Sequence, residues 1–189
     1  MKFRSGQRQR GVLAKLLHWL TAILVVFALA IILDPRTLDL TADPEHRRLI
    51  RRVAIYRHEA FGILVLATLC LRMAWRAFDK RPDLPTTMPR WEVRVSSLAH
   101  GALYLLAVAS CILGWYRVSS NGAAVNFFGW EGLPALMGKD EHLHAIFRSW
   151  HEWVSWMFVG LVIFHLIAAL KHHWIDHDRV LRNMLPFNR

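Results

Sequence analysis

Four stretches of this 189-residue chain carry almost no charge for long enough to cross a lipid bilayer, and that restricts what the backbone can do inside them. A hydrocarbon core about 30 Å thick takes about 20 residues of helix to span, and without water every backbone polar group must be satisfied within its own segment. The first run is charge-free from Leu16 to Leu33, the third from Val95 to Tyr116 and the fourth from Trp153 to Leu170. The second is shorter. Only Ala60 to Leu71 is uncharged, so this span must continue through Arg72 to about Trp75, and an arginine at membrane depth requires a partner. The expected architecture is an all-α, integral-membrane four-helix bundle, one transmembrane domain over residues 1–189 with helices at about 13–33, 58–76, 96–117 and 150–172.

Composition agrees. Hydrophobic residues make up 54% of the chain and charged residues only 20%, too apolar for an ordinary soluble domain. The formal net charge of +10 could suggest a nucleic-acid partner. The Lys and Arg residues, however, lie between the apolar runs, where they flank membrane helices, so no nucleic-acid partner is expected. Fifteen of them fall on the side of the two termini and nine on the other, which places both termini in the cytoplasm. Trp150, Trp153 and Trp156 form an aromatic belt where the fourth span begins, and Trp174 lies beyond its end. Cys70 and Cys111 each sit in an apolar run with no C-x-x-C or C-x-x-C-H pattern, and are expected to be packing residues. The basic stretch Met1 to Arg10 precedes a run long enough to span and shows no small-residue cleavage site, so it reads as the start of the first anchor. Pro82, Pro85 and Pro89 make Arg76 to Arg94 a loop, and the glycine-rich Ser119 to Arg148 is expected to be a structured loop over the outer surface.

Histidines at membrane depth carry the chemistry. Five of the eleven, His18, His58, His100, His151 and His165, lie within or at the ends of the spans. His151 and His165 are fourteen residues apart on the fourth helix, which is within about 40° of whole turns and about 21 Å of rise. They therefore point the same way at opposite depths. His18 belongs to the level of His165 and His58 to the level of His151, so two facing imidazole pairs result. A planar macrocycle with iron at its centre needs one imidazole on each face, and bundle cores build such sites from facing helices. Two pairs mean two b-type haems between the helices, with His18, His58, His151 and His165 as axial ligands to the iron. Gly62, one turn after His58, offers a surface without a side chain for a porphyrin ring. His100 starts the third helix at the level of His18 and His165, where it could replace either as ligand, hydrogen-bond a haem propionate or line a quinone site. Arg72 lies fourteen residues after His58 and should project inward, with a propionate as its natural partner. His172 and His173 are expected at the interface, and His46, His142, His144 and His177 in loops.

The segments KLLHWL, YRHEAFGILVL, SLAHGALYLL, SWHEWVSW and FHLIAALKHHW occur in this order on the four spans. Over essentially the whole chain they resemble the bacterial cytochrome b561 family, and more distantly the cytochrome b subunits of membrane formate dehydrogenases and nickel-iron hydrogenases. In that broader group helix one and helix two each give one haem-ligating histidine and helix four gives two, which maps onto His18, His58, His151 and His165. The resemblance implies a protein of the bacterial inner membrane, part of a respiratory chain, that relays electrons across the membrane to or from quinone. It also implies an oxidoreductase that takes electrons from superoxide and gives them to ubiquinone. Arg47, Arg48, Arg51, Arg52 and Arg57 lie just ahead of His58 and could steer a small anion, pair a propionate or meet lipid head groups. A homodimer or larger redox complex is possible on this reading.

Other functions fit less well. HEAFG and HEWVS lack the second histidine of a zinc-protease H-E-x-x-H motif. The only Glu-x-x-His, Glu141 to His144, falls in an expected loop rather than on the helices a di-iron bundle requires. A transporter would show broken spans and inverted halves. The remaining alternative keeps the same cofactors: a haem-bearing cytochrome b anchor subunit of a hydrogenase or dehydrogenase complex.

Overall fold

A computed structural model describes residues 5, 11–38, 41, 43–79 and 88–185. The elements are α1 (Val12–Ile32), α2 (Pro35–Leu38), α3 (Pro44–Phe78), α4 (Arg90–Ser120), β1 (Val125–Phe127), β2 (Trp130–Leu133), α5 (Glu141–Trp174) and a 3-10 turn at Arg182–Met184. Helices α1, α3, α4 and α5 are each long and apolar enough to cross a membrane, and the fold is all-α, a membrane helical bundle.

Three of the four helices run well past their apolar spans, because their polar ends carry start signals that an apolar run does not reveal. Asp43 caps α3, its Oδ2 accepting from Glu45 N at 3.0 Å and His46 N at 3.1 Å, with Pro44 in the first helical position. Asp140 caps α5 in the same way, Oδ1 accepting from Leu143 N at 2.9 Å. α4 begins at Arg90, directly after Pro89, and ends at Ser120 before Gly122, whose φ of 81° suits a residue without a Cβ. His46, His142 and His144, and with them Glu141, therefore lie in the first turns of helices and not in loops. The connection after α4 is correspondingly shorter than expected and contains a β-hairpin.

The chain divides into two compact units. One comprises Met1–Leu20, Thr68–Val108 and Val154–Arg189. There Trp19 Nε1 donates to Met184 O at 2.7 Å and Lys15 Nζ to Leu185 O at 3.1 Å, tying α1 to the segment after α5. Lys171 bridges Glu92 of α4 and Asp176. His172 is buried within the protein, its Nδ1 2.6 Å from Asp178 Oδ2.

The other unit comprises Thr21–Ala67 and Ala109–Trp153. On α1 the buried residues Thr21, Leu24 and Ala28 recur every three to four positions, while Ile23, Val26 and Phe27 face outward. The antiparallel pair β1–β2 turns through Phe128 (φ 52°) and Gly129 (φ 94°), a tight turn in which both central residues have positive φ. Glu59 of α3 accepts from Asn126 N at 3.0 Å, and Phe128 packs on Phe61, which stacks on Phe27. These contacts fasten the hairpin to α1 and α3.

Large apolar side chains such as Leu98, Leu105, Met157 and Leu166 are exposed throughout the spans. In water each would forgo about 1.5–3 kcal/mol of burial; in lipid they are matched to their surroundings. Cys70 is among the exposed residues and is not a packing residue, while Cys111 is half-buried.

Ser119 is fully buried; its Oγ donates to Trp115 O at 2.9 Å and accepts from Leu136 N at 3.0 Å, holding the connection after the hairpin. Ser119→Ala leaves Leu136 N–H without its acceptor and should cost about 1–3 kcal/mol. A lowered melting temperature in detergent and faster proteolysis within 121–140 would register it; an unchanged melting temperature would mean that water replaces the hydroxyl.

Candidate functional site

Each unit holds one pair of facing imidazoles. In the second, His58 of α3 and His151 of α5 have ring centroids 6.1 Å apart and planes at 77°. Both rings are fixed from behind. His58 Nδ1 is 2.9 Å from Ala28 O on α1, and His151 Nδ1 is 2.9 Å from Ser110 O on α4. A carbonyl oxygen only accepts, so each Nδ1 carries the proton and each Nε2 keeps its lone pair. All four helices thus contribute: α3 and α5 supply rings, α1 and α4 supply the carbonyls that orient them.

Glu59 and Arg117 lie on the same two helices as this pair's ring and acceptor. Glu59, next in sequence to His58, holds the hairpin. Arg117, one turn beyond Gly114 on α4, offers its carbonyl to His144 Nδ1 at 2.9 Å, which joins the end of α4 to the start of α5. Arg47, Arg48, Arg51, Arg52 and Arg57 all lie on α3 itself, continuous with His58; Arg57 is exposed. A β-carbon added at Gly62 would meet nothing within 4 Å, so there is open space beside this glycine.

In the first unit His18 of α1 and His165 of α5 have centroids 6.4 Å apart and planes at 70°. His100 of α4 is also here, its centroid 5.3 Å from that of His165 and its Nδ1 2.6 Å from Ser96 O. Arg72 turns inward: Nη2 lies 3.2 Å from His18 Nδ1, and its guanidinium sits 5.2 Å from the centre of the Tyr104 ring. Arg76 approaches the same ring at 5.6 Å. Desolvated cation–π contacts of this kind can be worth about 2 kcal/mol, which helps an arginine remain at membrane depth.

Sequence reasoning did not single out Tyr104, Ser110, Gly114, Arg117 or the carbonyl of Ala28. Tyr104 and Arg117 carried a signal, Tyr104 as a polar ring in the middle of the α4 span and Arg117 as a charge at its end. The backbone acceptors carried none, since any residue presents a carbonyl.

Chemically, the facing imidazoles of His58 and His151, with protonated Nδ1 and Nε2 lone pairs, form a donor set for a metal held on both faces, whereas His18 Nδ1 accepts from Arg72 Nη2. Comparison with known proteins agrees in kind. The sequence profile described as prokaryotic cytochrome b561 matches residues 9–187. The chain is 34% identical to cytochrome b561 homolog 2 of Escherichia coli K12 over 187 residues, covering 98% of this chain and 95% of the relative. It is 29% identical to cytochrome b561 homolog 1 of the same organism over 131 residues, 68% and 73% of the two chains. The probable superoxide oxidase CybB of Yersinia pestis is 25% identical over 174 residues, 92% and 93% of the two chains.

Proposed function

The chain belongs to the prokaryotic cytochrome b561 family, a family of b-type haem proteins for membrane electron transfer, and from that premise we propose that it holds two haems and carries electrons between superoxide and ubiquinone. The observation that carries the haem assignment is the spacing of the imidazoles. An imidazole nitrogen bonds a metal at about 2.0–2.1 Å and the ring centre lies about 1 Å further back, so two rings on opposite faces of one iron stand about 6 Å apart. His58 with His151 at 6.1 Å, and His18 with His165 at 6.4 Å, fit that requirement. His100 at 5.3 Å from His165 is too close for the same role. We assign it to the surroundings of that haem, as a propionate or quinone contact together with Arg72. Gly62 lends its open side to the porphyrin held by His58 and His151.

Haem, once bound, supplies reversible one-electron chemistry. The chain's own part is to fix the imidazoles, exclude water and set the local charge. In the reaction two superoxide anions give up one electron each, and ubiquinone takes both with two protons. The likeness to the probable superoxide oxidase supports this donor, and so does the arginine-rich first half of α3, which presents fixed positive charge beside His58 where an anion would arrive. The distribution of Lys and Arg supports a bacterial inner-membrane protein with both termini in the cytoplasm. His58 then lies toward the outer face, and quinone reaches the inner one from lipid.

Replacing His58 or His151 with Ala should remove one haem, and replacing His18 or His165 should remove the other, each variant retaining one by pyridine-haemochrome analysis. Retention of both haems in any of the four would exclude that residue as a ligand. Loss in His100→Ala, with retention in His165→Ala, would move the ligand to α4.

Arg72→Leu should lower the midpoint potential of one haem, because a nearby positive charge favours the reduced form, and Arg72→Lys should shift it less. Equal potentials in wild type and Arg72→Leu, with both haems bound, would separate this arginine from the cofactor.

Turnover with superoxide should fall as ionic strength rises, steering being screened over about 8 Å at 0.15 M salt, and should fall in an Arg48/Arg51/Arg52 triple Ser variant. Rates that ignore both changes would point to a donor other than a small anion, such as an iron–sulfur partner subunit.

A further inference from the structure

Helix α4 passes the ring of His151 at a place where it has no side chain. A β-carbon built on Gly114 would lie 3.1 Å from Cε1 and 3.3 Å from Nδ1 of His151, inside the ordinary carbon contact distance of about 3.5–4.0 Å. Ser110, four residues earlier and so on the same face of α4, supplies the carbonyl that accepts from His151 Nδ1. The helix therefore holds the ring by two backbone features one turn apart, an acceptor at Ser110 and a bare α-carbon at Gly114. A glycine in a membrane helix commonly serves close backbone approach of another helix. Here the three nearest atoms to the missing β-carbon all belong to the His151 ring, so the space serves an imidazole.

We propose that Gly114 is a positioning residue: its missing side chain gives the His151 imidazole the room to lie against Ser110 O at a steep angle to His58. The inference rests on the reading that His58 and His151 hold one haem. It adds that the angle between the two rings, 77° here, is set by α4, which supplies neither of them. A β-carbon at Gly114 would push the ring by a few tenths of an ångström. That turns it relative to His58 and stretches the bond to Ser110 O. The carbonyl draws on the Nδ1 proton and makes the imidazole a stronger donor, which favours oxidised iron; weakening that bond favours the reduced form.

The test is Gly114→Ala in the full-length, haem-loaded protein, with Gly160→Ala on α5 as the control, since a β-carbon at Gly160 meets nothing within 4 Å. Electron paramagnetic resonance of the oxidised protein reports the angle between axial imidazole planes through the anisotropy of each low-spin signal. Gly114→Ala should alter one of the two signals and raise the midpoint potential of the same haem, or cause loss of that haem, while Gly160→Ala changes neither. Unaltered signals and potentials in Gly114→Ala with both haems bound would overturn the proposal. If Gly114→Ala does not accumulate, the double variant Gly114→Ala/His151→Ala decides, because it removes the ring that the new methyl would strike. Accumulation at the level of His151→Ala supports the proposal. Loss of the double variant would show that Gly114 serves the helix alone and would overturn it. Failure of the underlying reading is separate: it would appear as two haems retained in both His58→Ala and His151→Ala.

Discussion

A neutral imidazole in lipid has two nitrogens to satisfy and no water to satisfy them with, and much of this protein answers that constraint. A helical carbonyl already accepts from the amide four residues on, yet oxygen has a second lone pair. Ala28 and Ser110 give that second pair to His58 and His151. The four helices are committed together by this arrangement, because α1 and α4 must present a carbonyl at the height where α3 and α5 present a ring. Each nitrogen left over is an electron-pair donor with a fixed direction, as the proposed coordination to iron requires. In the other unit His18 meets an arginine in place of a carbonyl. The two pairs are thus built to similar spacings from different materials, and their electrostatic surroundings differ accordingly.

Much of this was legible in the sequence because it obeys simple periods. Four apolar runs of bilayer length give four helices, and the interval of fourteen residues from His151 to His165 puts one histidine of α5 into each facing pair. The inward turn of Arg72 was legible for the same reason, as was the gathering of His100 with His18 and His165. What was not legible belongs to the parts where lipid imposes no pattern. α3 begins at Pro44, fourteen residues before the expected start, because the Asp43 cap and an arginine-rich polar helix leave no apolar trace. The hairpin 125–133 depends on two positive-φ residues, Phe128 and Gly129, and a phenylalanine there is not a turn signal. Gly114 sits in an apolar run like any small membrane residue, and only the neighbouring ring gives it meaning.

The arginines ahead of His58 also change character once α3 is seen whole. On a loop they would form a diffuse cloud of charge. On a continuous helix they hold fixed positions relative to the imidazole, with Arg47 and Arg51, and Arg48 and Arg52, each one turn apart. The charge ahead of His58 is therefore a rigid pattern. Glu59, which follows the same histidine, holds the hairpin.

α5 carries one histidine of each pair, yet no residue in its most apolar window is buried inside the protein. Elsewhere a helix with such duties would be clamped between neighbours. This one meets its neighbours at separate points, among them Ser110 O and Arg117 O of α4, and leaves much of its apolar surface to hydrocarbon. Thickness and lateral pressure of the surrounding lipid then act on the placement of its two histidines, since tilting a helix to relieve hydrophobic mismatch costs only fractions of a kcal/mol per Å. Membrane thickness thus bears on the distance and angle of both imidazole pairs, because the helix common to them shows hydrocarbon its apolar side.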